Sequence, residues 1–540
     1  QVEVPPVVPT MTEDLILNIG RLASFEDGTI EELGAFLDKY ALWINQNTTT
    51  SQALEVRYLP AAVRLISRQQ HALDRMRLGV ERLNSDPDIR DAFRFANESM
   101  LRQMFHSRGF AKRREASDVA REMPNENDYW KSKAQWRPFQ LAFFLLCVGS
   151  DKTQTEDFAP VDLIWFPTGG GKTEAYLAVA AFQVFKRRIS DPERGGGTAV
   201  ITRYTLRLLT AQQFQRTAAL VCAMEIIRRR ESLKLGKSSI TLGLWIGRKG
   251  SPNTFADASK EFEALLLEER PKNPFQLLSC PWCGTSIIPS KKSDVLTTYG
   301  VTASNDSFAF GCPNSKCDFS ISQTELPINV VDEALYANPP TFLIGTVDKF
   351  ARLPWDKNAG NFFGSDFCEP PSLIIQDELH LLAGPLGTIV GAYEAAIESL
   401  CKMRSSTMTP PMIIASTATI RESDHQSRSL FGRAAEIFPP PGLVSGDSFF
   451  AKEDTSRPGR LYLGVLSPIH SKSTSLIRTC AVLSQAVVEV ELSEAVRDAY
   501  WTQVVYHNSL RELGQTTTFA RDDIPAWIYQ IAVSHDNLRI

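Results

Sequence analysis

The chain has no apolar run long enough to cross a bilayer; Leu141–Val148 is apolar but too short. A membrane-embedded role is therefore not expected. The opening, Gln1-Val2-Glu3-Val4-Pro5-Pro6, has no basic region followed by an apolar stretch, so no signal peptide is read there. An initiator Met is also missing, and the expectation is a trimmed or processed chain. Positive charge is not in excess: the formal net charge is -4, which excludes a histone-like basic coat. Nucleic acid stays open, because backbone amides and a few Arg or Lys can hold phosphates. The runs Lys186-Arg187-Arg188 and Arg228-Arg229-Arg230 read as solvated helix faces. The nine cysteines are odd in number and unevenly spaced, so no disulfide framework is expected. A reducing cytoplasm fits that usage. No internal repeats are visible.

What is present is ordinary globular material: 540 residues, 43% hydrophobic and 22% charged, enough for large cores. Residues 1–131 read as helical, with Leu15, Ile16, Ile19, Leu22 and Ala23 at helical spacing and further helices over Ile30–Gln46, Ala53–Leu83 and Asp88–Arg108. From residue 132 to 456 short apolar strands alternate with helices. Strands are expected at Val161–Phe166, Thr198–Thr202, Ile240–Ile246, Thr341–Gly345, Ser372–Gln376 and Pro411–Ser416. That alternation predicts an α/β fold with a parallel sheet covered on both faces. Residues 271–327 interrupt it with cysteine pairs and turn residues, as an insertion. After the linker Arg457-Pro458-Gly459, Leu461–Leu466 and Gln503–Tyr506 read as first strands of a second sheet, over residues 457–540.

Between the strand Val161–Phe166 and the helix opened by Lys172 lies Pro167-Thr168-Gly169-Gly170-Gly171. Gly169, Gly170 and Gly171 let backbone N–H groups turn inward around phosphates without side-chain clashes. The helix N-terminus adds a favourable field for the anion. Lys172 is expected on the β- and γ-phosphates of ATP, Thr173 on Mg²⁺, and Thr168 within the same cradle. Phe166 stands where the strict phosphate-loop pattern has Gly or Ala; the helicase version, centred on Pro-Thr-Gly-x-Gly-Lys-Thr, accepts this. The strand Ser372–Gln376 ends in Asp377-Glu378-Leu379-His380. Asp377 is expected to hold Mg²⁺ through water, Glu378 to polarise the attacking water, and His380 to link the nucleotide to the next motif.

Other segments resemble motifs of superfamily 2 helicases in the expected order. Trp136-Arg137-Pro138-Phe139-Gln140 resembles the Q motif, in which Gln140 reads the adenine edge. Arg203 to Gln213 looks like motif Ia, implying backbone contacts from Arg203, Thr205, Arg207 and Gln213. Thr346-Val347-Asp348-Lys349-Phe350 resembles motif Ib, implying the same for Thr346 and Lys349. Ser416-Thr417-Ala418-Thr419 stands in the place of the Ser-Ala-Thr coupling motif. Ligands bind at strand carboxyl ends in open α/β sheets, where all of these fall. The wording of Pro167–Tyr176 (PTGGGKTEAY), Thr346–Ala351 (TVDKFA), Asp377–Gly387 (DELHLLAGPLG) and Tyr506–Leu513 (YHNSLREL) resembles the DrmA helicases of the DISARM anti-phage system. That resemblance, over about Trp136 to Leu513, implies an RecA-like lobe, the start of a second such lobe, DNA as substrate (single-stranded or with ends) and a DrmB-like partner.

Cys280-Pro281-Trp282-Cys283-Gly284 and Cys312-Pro313-Asn314-Ser315-Lys316-Cys317 supply two pairs of thiols. Cys280, Cys283, Cys312 and Cys317 suit tetrahedral Zn²⁺ in a closed, structural, ribbon-like site. No arginine-finger motif is visible, so these residues alone are expected to bind ATP and turn it over poorly. The function read from the sequence is an ATP-driven DNA helicase or translocase in anti-phage defence. The alternatives are an ATP-gated DNA-binding scaffold, a repair helicase, and an ATPase switch that ignores nucleic acid.

Overall fold

The fold is described from a computed structural model covering residues 2–4, 7–9, 15–111, 122–150, 159–166, 170–204, 211–247, 250–417, 422–454, 456 and 459–534. It divides into two compact units, residues 7–454 and residues 1–6 with 455–540.

In the larger unit, helices come first: α1 (Ile19–Ser24), α2 (Thr29–Ser51), α3 (Leu59–Ser85) and α4 (Pro87–Ala111). Asn18 caps α1 by accepting from the Arg21 N–H. These helices share one apolar core with α5 (Pro138–Ser150), α6 (Lys172–Ser190) and α7 (Ala211–Arg230), where Phe93, Phe144 and Phe182 are wholly buried. Helix α5 has no polar face; every residue in it is buried. Helices α3 and α5 cross at glycines. A Cβ on Gly79 would stand 2.2 Å from the Leu145 carbonyl oxygen, and one on Gly149 2.1 Å from that of Arg75. Any side chain there would push the helices apart.

The sheet has eight strands: β1 (Val161–Trp165), β2 (Val200–Tyr204), β3 (Leu242–Trp245), β4 (Ile328–Asn329), β5 (Phe342–Thr346), β6 (Leu373–Gln376), β7 (Met412–Thr417) and β8 (Ala435–Phe438). Their order is β8-β1-β7-β6-β2-β5-β3-β4, and every neighbouring pair is parallel. This is the expected mixed α/β architecture, a parallel sheet preceded in the chain by a helical N-terminal region. All strands point the same way, so all their carboxyl ends share one edge of the sheet.

Two strands of this sheet escaped the sequence reading. β4 is only two residues long. β8 carries Glu436 in its middle, which masks the apolar pattern. Arg75 of α3 explains it: its guanidinium pairs with Glu436 at 2.5 Å and with Asp162 of β1 at 2.8 Å. Both strand carboxylates meet one buried cation, which ties an N-terminal helix to the strand that leads into the glycine loop.

The insertion forms a small antiparallel pair, Val301–Ala303 with Phe308–Phe310. In the smaller unit, Val2–Val4 pairs antiparallel with Arg460–Tyr462, and four helices follow: Lys472–Glu489, Glu494–Tyr500, Leu510–Arg521 and Asp523–Ser534. The strand expected over Leu461–Leu466 is confined to Arg460–Tyr462, and that expected at Gln503–Tyr506 is chain without a ladder. Val504 and Tyr506 are largely exposed, so no sheet face is buried there to fix a strand. The linker residues Arg457 and Pro458 lie outside the described residues. Among the described residues, no helix is long and apolar enough to cross a membrane.

Candidate nucleotide site and cysteine cluster

β1 ends at Trp165, and helix α6 starts at Lys172. Gly171, at φ 88°, occupies the left-handed region just before the helix, a conformation only glycine adopts without strain. It is also a tight spot, since a Cβ there would meet Gln140 Nε2 at 2.6 Å. Pro167, Thr168 and Gly169 lie outside the described residues. Gln140, at the start of α5, donates to the Gly171 carbonyl oxygen at 2.7 Å and accepts from the Arg137 N–H at 2.8 Å. Arg137 donates to the Gly170 carbonyl oxygen at 2.5 Å. Phe139 stacks on Phe166, with centroids 4.1 Å apart. The Q-like segment thus grips the glycine loop from outside.

Lys172 Nζ donates to the carbonyl oxygens of Phe166 (3.0 Å) and Thr417 (3.3 Å). Burial lowers its pKa, while the fields of Glu378 and Asp377 work the other way. The lysine and both acids line the same cavity. Registry explains why: β6 runs beside β7, with Gln376 level with Ala415, so Asp377 comes beside Ser416.

Asp377 is almost fully engaged. It accepts from the Ser416 hydroxyl, from the Glu378 N–H (3.1 Å), from the Tyr176 hydroxyl (3.3 Å) and from Gln213 Nε2 (3.2 Å). The Tyr176 hydroxyl also lies 3.3 Å from Thr173 Oγ1 and 3.3 Å from the Tyr204 hydroxyl. Tyr176 and Tyr204 were not singled out in the sequence. An apolar pattern hides a tyrosine whose hydroxyl is the useful part. Glu378 is at φ 50°, a left-handed conformation unusual for a side-chain-bearing residue. Such strain concentrates at functional sites. Its carboxylate stands 3.4 Å from His380 Nδ1, which in turn is 3.3 Å from the Thr417 hydroxyl.

Gln140, Gly170, Gly171, Lys172, Thr173, Asp377 and Glu378 line one cavity of about 670 Å³, with Gln213 and Arg216 on its wall. That volume suits a nucleotide-sized ligand. Arg216 is held at 3.0 Å by Glu174.

Of the residues expected on a nucleic-acid backbone, Arg203, Gln213, Thr346 and Lys349 are described. Arg203 is wholly buried and donates to Glu394 at 2.9 Å, and burial pushes its pKa down to about 10. Such a guanidinium has no path to a solvent-side phosphate. Thr346 is buried as the residue before the short helix Val347–Phe350. Lys349 is ion-paired with Asp332. Gln213 faces Asp377. Thr205, Arg207, Ala418 and Thr419 lie outside the described residues.

The four insertion cysteines do converge. Their sulfurs all lie within 4.8 Å of one another, and all four are buried. Cys283 to Cys312 is 3.3 Å and Cys280 to Cys317 is 3.9 Å. Four thiolates around Zn²⁺ at about 2.3 Å sit roughly 3.8 Å apart, so the set fits a tetrahedral ion. Gly284, at φ 78°, closes the first knuckle by donating to the Cys280 carbonyl oxygen at 2.9 Å. Hydrogen bonds from the neighbouring thiols, Cys280 first, pull Cys283 far below the ordinary thiol range. Trp282 joins the cluster to helix α4, lying 3.8 Å from the His106 ring and donating to Asp318 at 2.7 Å.

No family model matches the chain. It shares 17% identity and a TM-score of 0.30 with the Mycobacterium smegmatis helicase Lhr bound to ssDNA and AMP-PNP, over 55% of this chain and 25% of that one. With the helicase MrfA the figures are 13% and 0.30, over 56% of this chain and 30% of that one. These partial likenesses leave the fold resting on the strand order described above. The sequence comparison reaches further: DISARM protein DrmA of Bacillus paralicheniformis is 37% identical over 547 aligned residues, 92% of this chain and 47% of that protein. The chain spans about half the length of that relative, and over nearly all of its own length it resembles DISARM protein DrmA.

Proposed function

We propose that the chain is the nucleotide-binding part of an ATP-driven DNA helicase or translocase of the DISARM type. One observation carries this: the lysine after the glycine loop and the two acids after β6 line a single cavity, although 172 and 377 are far apart in the chain. In this reading the loop amides and Lys172 hold the β- and γ-phosphates, and Gln140 faces the base. Mg²⁺, held by Thr173 and through water by Asp377, would neutralise charge on those phosphates. Glu378, aimed by its backbone conformation and by His380, takes a proton from the attacking water. Tyr176 spans Thr173 and Asp377 and keeps them in register.

The DNA part of the proposal is supported by the resemblance to DrmA and by the helicase-like segments at the carboxyl ends of one sheet. Arg203 and Lys349, being ion-paired, are left out of the grip. Thr205 and Arg207 keep that role. Residues 457–540 are proposed as the beginning of a second lobe, and a DrmB-like protein as partner. Zn²⁺ on the four cysteines would supply structure only, since four thiols leave no open position. Nine free cysteines and a thiol metal site fit a reducing cytoplasm.

The test uses the whole protein. Its ATP turnover, with and without single-stranded DNA, is compared with that of Glu378→Gln. The expected outcome is DNA-stimulated turnover in the wild type and its loss in the variant, with nucleotide still bound. Turnover unchanged in Glu378→Gln would overturn the site assignment. Turnover indifferent to DNA would overturn the substrate.

A further inference from the structure

The molecule has a second polar cavity, of about 630 Å³, away from the nucleotide site. Trp245, the last residue of β3, lines it, and so does Lys349, three residues beyond the end of β5. It therefore opens at the same sheet edge as the nucleotide cavity. β5 stands four places from β1 in the strand order, roughly 20 Å at ~4.8 Å per strand.

Most of the polar groups in its wall satisfy one another. Trp245 Nε1 donates to the Tyr336 hydroxyl at 3.0 Å, and that hydroxyl donates to Asp356 at 2.6 Å. Lys349 pairs with one oxygen of Asp332. Two acceptors remain over. Asp332 Oδ1 and Asn253 Oδ1 are buried without a hydrogen-bond partner, and Asp332 is 3% exposed. They belong to adjoining segments, because the Asp332 N–H donates to the Pro252 carbonyl oxygen (3.3 Å) and the Glu333 N–H to that of Asn253 (3.0 Å). Leaving two buried acceptors unmade costs free energy, so a ligand bringing N–H donors is favoured. Burial also raises the pKa of Asp332 despite its lysine. At the rim, Trp355 is 80% exposed and offers a flat face, and the Arg352 side chain is exposed beside it.

Two acceptor-bearing residues in the wall, an exposed aromatic plane and an exposed cation among the lining residues match the parts of a nucleotide: amino edge, ring and phosphate. We propose that this cavity receives one unpaired base of the DNA strand, stacked on Trp355, with its exocyclic amino group on Asp332 and Asn253 and its phosphate at Arg352. This rests on the DNA reading above and adds a preference to it. Cytosine carries a two-hydrogen amino group on its pairing edge, able to serve both acceptors; thymine offers one N3–H there, flanked by carbonyl oxygens that acceptors repel.

The experiment measures binding of labelled deoxycytidine and thymidine homopolymers to the chain, by fluorescence anisotropy at one stated salt concentration. Wild type should hold the deoxycytidine polymer at least about fivefold more tightly, the lower bound for a specific base contact. Trp355→Ala, at an exposed position, should weaken deoxycytidine binding by about fivefold or more while nucleotide binding is unchanged. Asn253→Ala should shrink the difference between the polymers, and it spares the Asp332–Lys349 pair. Equal affinity for the two polymers, or no effect of Trp355→Ala, would overturn the base pocket alone. Absence of binding to either polymer would remove the DNA reading and this ligand together. An arginine-containing peptide that needs Trp355, when neither polymer does, would overturn it in favour of a protein partner.

Discussion

The nucleotide cavity and the cysteine cluster are both assembled from distant parts of the sequence, yet they are opposite in construction. In the cluster the four sulfurs turn toward one another, all buried. In the cavity, Lys172 and Glu378 sit on the wall of an open space, and Glu378 is held at a strained φ of 50°. The closed site would be completed by one small ion, and the open site by a ligand that comes and goes. Damage to the first should therefore appear in folding, and damage to the second in turnover.

The largest expected effect follows from the closed site. Structural zinc contributes on the order of 10 kcal/mol to the folding of small zinc domains. Cys283→Ser, or strong chelation, should lower the melting temperature sharply and abolish bound zinc, measured by calorimetry and metal analysis. A Cys283→Ser chain that melts like the wild type would break the comparison. Next comes the open site. Glu378→Gln should lower turnover by about 10²–10⁴-fold with no change in melting temperature. Unfolding of that variant would show the acid to be structural instead.

Arg203 sharpens the contrast from a third position. Arg203→Ala leaves Glu394 buried and unpaired, and should cost about 3–5 kcal/mol in denaturant unfolding. Replacing both by apolar residues, Arg203→Met with Glu394→Leu, should recover most of it. Single-strand affinity of the double variant should equal that of the wild type. A salt-dependent loss of affinity would return Arg203 to the nucleic-acid surface. Smallest is Gln140→Ala. It removes side-chain hydrogen bonds beside the loop and should weaken nucleotide binding by about fivefold, near 1 kcal/mol, in an equilibrium titration.

The parts of this architecture legible in the sequence were those set by local pattern. Six strands of the sheet are apolar runs, and the glycine loop and the acid pair are contiguous strings. The cysteine cluster was legible because two pairs of closely spaced thiols, four in all, point to one shared site. What stayed hidden depends on partners far away in the chain. β8 is disguised by Glu436, whose reason for being there is Arg75 on α3. Tyr176 and Tyr204 look like core residues until their hydroxyls are seen 3.3 Å apart beside Asp377. Arg203 lies within β2 and Lys349 just beyond β5, both in helicase-like wording, and only the fold supplies Glu394 and Asp332 to neutralise them. The expected strand at Gln503–Tyr506 failed for a related reason: its apolar residues lie largely exposed, with no face to bury.

The central claim is that Lys172 and the acids at 377 and 378 hold one Mg²⁺–triphosphate. The most direct measurement titrates a fluorescent non-hydrolysable ATP analogue into the chain, with and without Mg²⁺, for wild type, Lys172→Ala and Asp377→Asn. Wild-type affinity should fall at least about tenfold when Mg²⁺ is removed, Asp377→Asn should lose that dependence, and Lys172→Ala should bind weakly in either case. Equal affinities across the three proteins, with and without the ion, would contradict the account.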